Sequence, residues 1–257
     1  MDLPQELIDE IICNLASDVP SLLSCSLVAK SWIHPSRKWL FKDVLISKDT
    51  RQRWLDRIPP RNVELLQNIR SFTYASGSSV WHTFIPYRIE TFRRYLPSLR
   101  HLESLGLTSM SMGSDAPQMV GLFSAFQHTL SALYLNNCHI IPSALVILVN
   151  YFPLLTNLAL HSLKYVVDDD PVPRLARPLR GRLAITYCSP KDQALFNQLT
   201  NPPPELDELV LCRVNMPAFY NIILGADGGS TKRLKMTSDV TWERRTSQNP
   251  QTLPMLT

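Results

Sequence analysis

A short leucine pattern that recurs through most of this chain constrains its fold more than any other feature. The template Leu-x-x-Leu-x-Leu, or a copy in which other residues replace some of the leucines, occurs seven times. The copies begin at Ile69, Leu102, Leu130, Leu155, Arg180, Leu206 and Thr231. Successive copies start 33, 28, 25, 25, 26 and 25 residues apart. Repeats of this length predict a solenoid, in which neighbouring units stack to share one core.

Each template predicts one short strand. Side chains alternate between the two faces of a strand, so template positions four and six point into the core and positions three, five and seven point outward. Helical segments are predicted between the strands at Glu90–Tyr95, Gln118–His128, Ser143–Phe152, Asp192–Leu199 and Ala218–Leu224. The spacing Phe41-x-x-Val44-x-Ile46 predicts an earlier strand. The expected fold is therefore α/β, with a parallel sheet on the concave side and helices on the convex side.

The ninth position of the five middle copies supports this interpretation. It is held by Met110, Cys138, Leu163, Cys188 and Val214. Cys138 and Cys188 occupy the position that accepts Asn or Cys in leucine-rich repeats. Residues 69–237 thus resemble an irregular leucine-rich-repeat domain of the intracellular kind.

The first forty residues carry a different pattern, typical of three short helices. The apolar stripe of the first helix consists of Leu7, Ile8, Ile11, Ile12 and Leu15. Ser21 is expected to cap a second helix over residues 22–28, and a third contains Trp32 and Trp39. Three short helices cannot bury a complete core alone. This segment is therefore either a helical cap on the rest of the chain or a module that binds a partner.

The order and spacing of these residues resemble the F-box, and the chain as a whole resembles F-box proteins of the fungal type. The matching residues run Leu3-Pro4-x-x-Leu7-Ile8-x-x-Ile11-Ile12-x-x-Leu15, then Leu22-Leu23-Ser24-Cys25-Ser26-Leu27-Val28-Ala29-Lys30-Ser31-Trp32, then Trp39-Leu40-Phe41. The F-box match covers residues 2 to 41. The loop between Leu15 and Leu22 is a residue or so longer than the commonest form, and Ala29 stands where Cys or Ser is frequent.

This resemblance implies docking onto a Skp-family adaptor, and through it a cullin, in a ubiquitin ligase. The residues implied to contact the adaptor are Leu3, Pro4, Leu7, Ile8 and Ile11. Those implied to add to the contact or support it are Leu22, Leu23, Leu27 and Trp32. The chain is then a non-catalytic substrate receptor. It could instead be an F-box protein that works outside ubiquitination, or a repeat scaffold whose N-terminal helices are only a cap.

The outward positions of the strands are the expected site for a target protein. The candidates for recognition are Tyr134, Asn136, Asn157, His161, Arg182 and Glu208. Tyrosine and arginine are common anchors in protein interfaces. The alternative for any one of them is an ordinary polar sheet face.

Motifs that would indicate an enzyme are absent from the sequence. No P-loop, dinucleotide-binding, nucleophile-elbow or zinc-protease pattern occurs. Cys138 and His139 are expected on opposite faces of the chain, and the acidic run Asp168–Asp170 is expected to be a solvated loop. We therefore expect no catalytic residue, cofactor or metal.

Charge and cysteine usage bound the remaining possibilities. Residues 48–100 hold ten Lys and Arg against four Asp and Glu, yet nucleic-acid binding is not expected because no recognition motif accompanies them. The five widely spread cysteines suit reduced, buried thiols, and the most apolar window is too short to cross a membrane. A cytoplasmic or nuclear protein is expected.

The predicted parts of the chain are a helical domain (1–47), a basic linker or first irregular repeat (48–68), the repeats (69–237) and a polar tail (238–257).

Overall fold

The fold is given by a computed structural model that describes residues 3–47, 63–75, 96–112, 120–165, 173–187, 199–213 and 230–237. A helical unit comes first and a parallel sheet of short strands follows, so the predicted α/β class is confirmed at this level. The predicted tail, most of the predicted linker and the predicted helices at 90–95, 192–198 and 218–224 lie outside the described residues. Among the described residues, no helix combines the length and apolar character needed to cross a membrane.

The helical unit, residues 3–41, contains three helices. They are α1 (Gln5–Asn14), α2 (Val19–Val28) and α3 (Lys30–Leu40). Ile8, Ile12 and Leu22 form its buried core, against which Trp32 and Trp39 pack. Helix α3 packs against both of the others.

Two local contacts explain how this unit is built. Helix α2 begins earlier than predicted because Asp18, not Ser21, caps it: the Asp18 carboxylate accepts from the Ser21 backbone N–H at 3.2 Å. Pro35 lies inside α3 and has no N–H to donate to the Ser31 carbonyl one turn earlier. The Gln5 side-chain amide of α1 approaches that carbonyl at 3.4 Å, which ties α1 to α3.

The rest of the described chain is dominated by one large sheet. Its strands are β1 (Asp43–Ile46), β2 (Ser71–Ala75), β3 (Ser104–Thr108), β5 (Ala132–Asn136), β7 (Asn157–His161), β9 (Arg180–Thr186), β10 (Glu205–Cys212), β11 (Ser230–Thr231) and β12 (Leu234–Thr237). They are parallel and follow one another in chain order, except that β11 and β12 both pair with β10. A smaller parallel sheet contains β4 (Ser111–Met112), β6 (His139–Ile140) and β8 (Lys164–Tyr165).

The template copies lie side by side in a single register. The residues at template position four pair in succession as Phe72, Leu105, Leu133, Leu158, Leu183, Leu209 and Leu234. The predicted strands are thus confirmed, and positions four and six are buried in every copy from β2 to β10. Two copies differ from the prediction. Arg180 is exposed and the neighbouring Leu179 is buried in the core instead, and in β12 Leu234 and Met236 are exposed. Leu175 is also buried, so the chain that leads into β9 contributes to the core.

Helices and turns cover one face of the large sheet and complete its core. They are the helices α4 (Val63–Leu66) and α5 (Pro142–Tyr151) and the 3-10 turns Leu96–Ser98 and Ser124–Phe126. Helix α5 confirms the helix predicted at Ser143–Phe152. The second turn lies within the helix predicted at Gln118–His128. Phe126 stacks on Phe152 with ring centroids 6.2 Å apart, at the centre of a core that runs from Val44 to Leu211.

Candidate functional site

The helical unit exposes a set of large apolar side chains, which we call the helical patch. It consists of Leu3, Leu7, Ile11, Leu27 and Val28. The first three are spaced four residues apart, so they share one side of the first helix and its entry, while Ile8 and Ile12 face the core. The side chains of Leu7 and Leu27 are 46% and 86% exposed, which is unusual for leucine in a folded domain. Surface of this kind is typical of a protein-binding site.

The residues predicted to meet the adaptor divide into three groups in the structure. Leu3, Pro4, Leu7, Ile11 and Leu27 are exposed. Leu23 and Trp32 are half-buried, and Ile8 and Leu22 lie in the core. Ile8 therefore holds the helices together rather than presenting a contact, because it lies one residue, about 100° around the helix, from Leu7. Val28 belongs to the patch but was not among the predicted contacts.

The second surface is the side of the large sheet opposite its core, which we call the open face. Three rows of side chains run across it from β7 to β10. They are Asn157–Arg182–Glu208, Ala159–Ala184–Val210 and His161–Thr186–Cys212. The middle row, which we call the apolar floor, is buried, and Tyr134 packs against it. In the third row Thr186 and Cys212 are also buried, and His161 is half-buried. The accessible polar side chains of these three rows are therefore those of the first row and His161.

The six residues predicted for target recognition all lie on the open face. Asn157 donates from Nδ2 to the Tyr134 hydroxyl at 3.1 Å, and Tyr134 packs against the apolar floor. Arg182 pairs with Glu208 across adjacent strands, with Nε and Oε2 2.8 Å apart. His161 and Asn136 are register partners in the third row. The ion pair leaves the first row without net charge, so this row offers hydrogen bonds rather than a strong electrostatic field.

A backbone feature at the end of each strand was not anticipated from the sequence. The residue at the eighth template position has φ between 48° and 56° in five successive units, and none of the five is glycine. These residues are Ser109, Asn137, Ser162, Tyr187 and Arg213. The N–H of the first four extends the ladder by donating to the next strand, as Tyr187 does to the Cys212 carbonyl at 3.1 Å. A bulky side chain in this left-handed conformation is strained, which makes Tyr187 notable.

Tyr187 is the centre of an aromatic and cationic group, the edge cluster, formed by His161, Tyr187 and Arg213. The His161 and Tyr187 rings meet edge to face with centroids 5.2 Å apart. The Arg213 guanidinium lies 5.0 Å from the centre of the Tyr187 ring, within the range of a cation–π contact. Partial burial lowers the pKa of His161, which favours its neutral form. Sequence reasoning missed Tyr187 and Arg213 because it assigned faces only up to position seven. The recurrence of the eighth position was the available signal.

The titratable groups of the described residues form no recognisable reactive centre. No set of three His, Cys, Asp or Glu among them is placed to hold a metal ion. Burial raises the pKa of the Cys138 thiol to about 11, and its Sγ lies 3.3 Å from the Leu107 carbonyl. Cys138 is thus a protonated structural thiol. Cys13 is exposed, which corrects the expectation that every cysteine is buried.

Comparison with known proteins gives no relative: no protein-family model matches the chain, and no curated protein matches it. The features that bear on function are therefore the helical patch, the open face and the sequence patterns that produce them.

Proposed function

We propose that this chain is a non-catalytic receptor that brings a target protein to a Skp–cullin–F-box ubiquitin ligase. In this proposal the helical unit is an F-box, and residues 69–237 form an irregular leucine-rich-repeat solenoid. The observation that carries the proposal is the helical patch: Leu7 and Leu27 stand in solvent on a unit whose own buried core is only Ile8, Ile12 and Leu22.

The helical unit leaves the apolar side chains of Leu7 and Leu27 uncovered. Burying apolar surface is worth roughly 25 cal/mol per Å². A groove that receives the α1 stripe and the end of α2 therefore supplies stabilisation that this unit cannot supply itself. Binding of an apolar helix face in a groove usually depends on a few anchors. Leu7 and Leu27 are the best-placed anchors because they are large and exposed.

The open face is the proposed target-binding arm. It combines hydrogen-bonding groups on Asn157 and Arg182 with the aromatic surface of Tyr134 and Tyr187. This mixture suits a protein surface better than a small ligand, which needs an enclosed pocket. The rate gain for ubiquitin transfer comes from effective concentration: one arm holds the ligase, the other holds the target, and this chain performs no bond chemistry.

Adaptor affinity tests the proposal directly. We would titrate the purified full chain with a purified Skp-family adaptor by calorimetry, and repeat this with a Leu7→Ala/Leu27→Ala variant. Loss of two anchors is expected to weaken binding by about tenfold or more. Leu154→Ala is the matched control, because Leu154 is an exposed leucine outside the helical unit. Its affinity should equal that of the wild type.

Three results would count against the proposed receptor function. A folded wild-type chain that does not bind the adaptor would overturn it. An unchanged affinity in the double variant would remove the helical patch as the docking surface. A complex that assembles with the cullin but never ubiquitinates a protein held on the open face would leave the scaffold alternative, outside ubiquitination.

A further inference from the structure

The last strand of the large sheet leaves its apolar side chains uncovered. Leu234 and Met236 of β12 are each 47% exposed. Their register partners in β10, Leu209 and Leu211, are 4% and 2% exposed. Among the described residues, β10 has a strand on both sides, whereas β12 has a strand on one side only. The apolar face of the sheet is therefore partly exposed to solvent at Leu234 and Met236.

The backbone of β12 also has N–H and C=O groups on its outer edge, away from β10. Successive residues of a parallel strand direct their N–H and C=O groups to opposite sides. The Arg233 carbonyl accepts from the Leu209 N–H of β10 at 2.9 Å, so residues 233 and 235 face β10. Leu234 and Met236 consequently direct their backbone groups away from it. In the described part of the chain, no strand pairs with this outer edge.

Cations alternate with the two apolar residues along the edge. Lys235 lies between Leu234 and Met236 in sequence, and Arg233 precedes them; both cations are exposed. The nearby Lys232 already pairs with Asp207 at 2.7 Å. Two copies of this chain joined edge to edge would bring like charges together, which is unfavourable. The charge pattern therefore favours an acidic occupant over a second copy.

We propose that the outer edge of β12 binds an extended, acidic segment of a partner protein by strand addition. The N–H and C=O groups of Leu234 and Met236 pair with the backbone of the segment. Its alternate apolar side chains cover Leu234 and Met236, and the carboxylates between them face Arg233 and Lys235. This site goes beyond the adaptor-receptor function, since it involves no residue of the helical unit, and either proposal can fail without the other.

The test uses the full chain and a fluorescent peptide of repeated Glu-Val pairs, followed by anisotropy. Met236→Pro removes one outward-facing N–H while leaving the bonds to β10, and Met236→Ala removes the side chain alone. We expect Met236→Pro to bind about tenfold more weakly than Met236→Ala, since strand addition depends on main-chain hydrogen bonds. Lys235→Glu should weaken binding by a similar factor at low salt and by less at high salt.

Control peptides and fold measurements make the outcome decisive. A peptide of the same composition with all Glu residues before all Val residues should bind poorly, as should a Lys-Val repeat. Equal affinity for these peptides, no binding by the wild type, or equal affinity of Met236→Pro and Met236→Ala would each overturn the proposal. A concentration-dependent dimer that Met236→Pro abolishes, without peptide binding, would assign the edge to a second copy instead. Circular dichroism melts of all variants exclude unfolding as the cause of a loss.

Discussion

Most leucine side chains of the large sheet are buried, whereas several in the helical unit are exposed. Leu133 of β5 is fully buried, whereas Leu7 and Leu27 of the helical unit stand largely in solvent. In the sheet every inner strand has a neighbour on both sides, and core residues follow one another from unit to unit without a break. The helical unit has three helices and three fully buried apolar residues. Apolar surface therefore remains where a stack ends or where a unit is too small to enclose its own leucines.

This contrast predicts different kinds of stability for the two regions. The sheet should unfold as one cooperative body, because each unit depends on its neighbours for burial. The helical unit has a separate buried cluster and should be able to open by itself. Three substitutions and one change of pH test this contrast, from the largest expected effect to the smallest.

Phe126→Ala should cause the largest loss, about 3–5 kcal/mol of global unfolding free energy, because it opens a cavity in the sheet core. Phe126 is fully buried and its ring contacts Phe123 and Phe152, with centroids 5.5 Å and 6.2 Å away. Urea denaturation followed by circular dichroism measures the loss. Leu154→Ala, on the surface, should change it by less than about 0.5 kcal/mol. Equal effects of the two substitutions would contradict the cooperative core.

Leu22→Ala should cost about 2–5 kcal/mol, but only within the helical unit. Leu22 is fully buried between the helices and belongs to a cluster separate from the sheet core. Hydrogen exchange followed by mass spectrometry should show faster exchange across residues 3–41 and unchanged protection in β5 and β7. Faster exchange in those strands would mean that both regions unfold together, and the comparison would have to be abandoned.

Gly181→Ala should destabilise the sheet by about 1–3 kcal/mol, a strain effect rather than a cavity effect. Gly181 has φ of +78°, and a Cβ atom there would lie 2.2 Å from the Thr156 carbonyl oxygen. Thermal melts compare it with Gly121→Ala, where a Cβ atom would meet nothing within 4 Å. If Gly181→Ala melts at the temperature of the Gly121→Ala control, the left-handed conformation of Gly181 is not needed at the start of β9.

Acidification should give the smallest effect, confined to the start of α2. Hydrogen bonds from the Ser21 hydroxyl and backbone N–H lower the pKa of Asp18 below its usual value of 3.8. A carboxyl whose folded pKa is depressed stabilises the fold above its unfolded pKa and loses that contribution as pH falls through the folded value. We expect amide exchange at the first turn of α2 to quicken at low pH after correction for intrinsic rates. Asp18→Asn keeps an acceptor without the titration, so its exchange should lack this step.

Much of the sheet follows from local sequence. The recurrence of apolar residues at template positions four and six predicts the strands of the large sheet from β2 onward, because alternation is a property of any extended backbone. No template copy predicts the short strands β4, β6 and β8 of the smaller sheet. The same argument placed Tyr134 and His161 on the open face. It was wrong by one residue at Arg180, since the positive φ of Gly181 accompanies the burial of Leu179, which no leucine pattern encodes. The sequence predicts Ser21 as the cap of α2 and the structure uses Asp18, because both residue types favour that position and only the backbone path selects one.

By itself the sequence determined the α/β class, the order of the helical unit and the strands of the large sheet, their register and, from β1 to β10, the side of each strand that faces the core. These depend on period and spacing, which act between residues close in the chain. Only the tertiary structure decided that Ile8 is buried while Leu7 is exposed, that Tyr187 contacts His161 and Arg213, and that no described strand pairs with the outer edge of β12. Exposure is a property of what other elements leave uncovered. It arises between residues far apart in sequence, and periodicity alone contains no information about it.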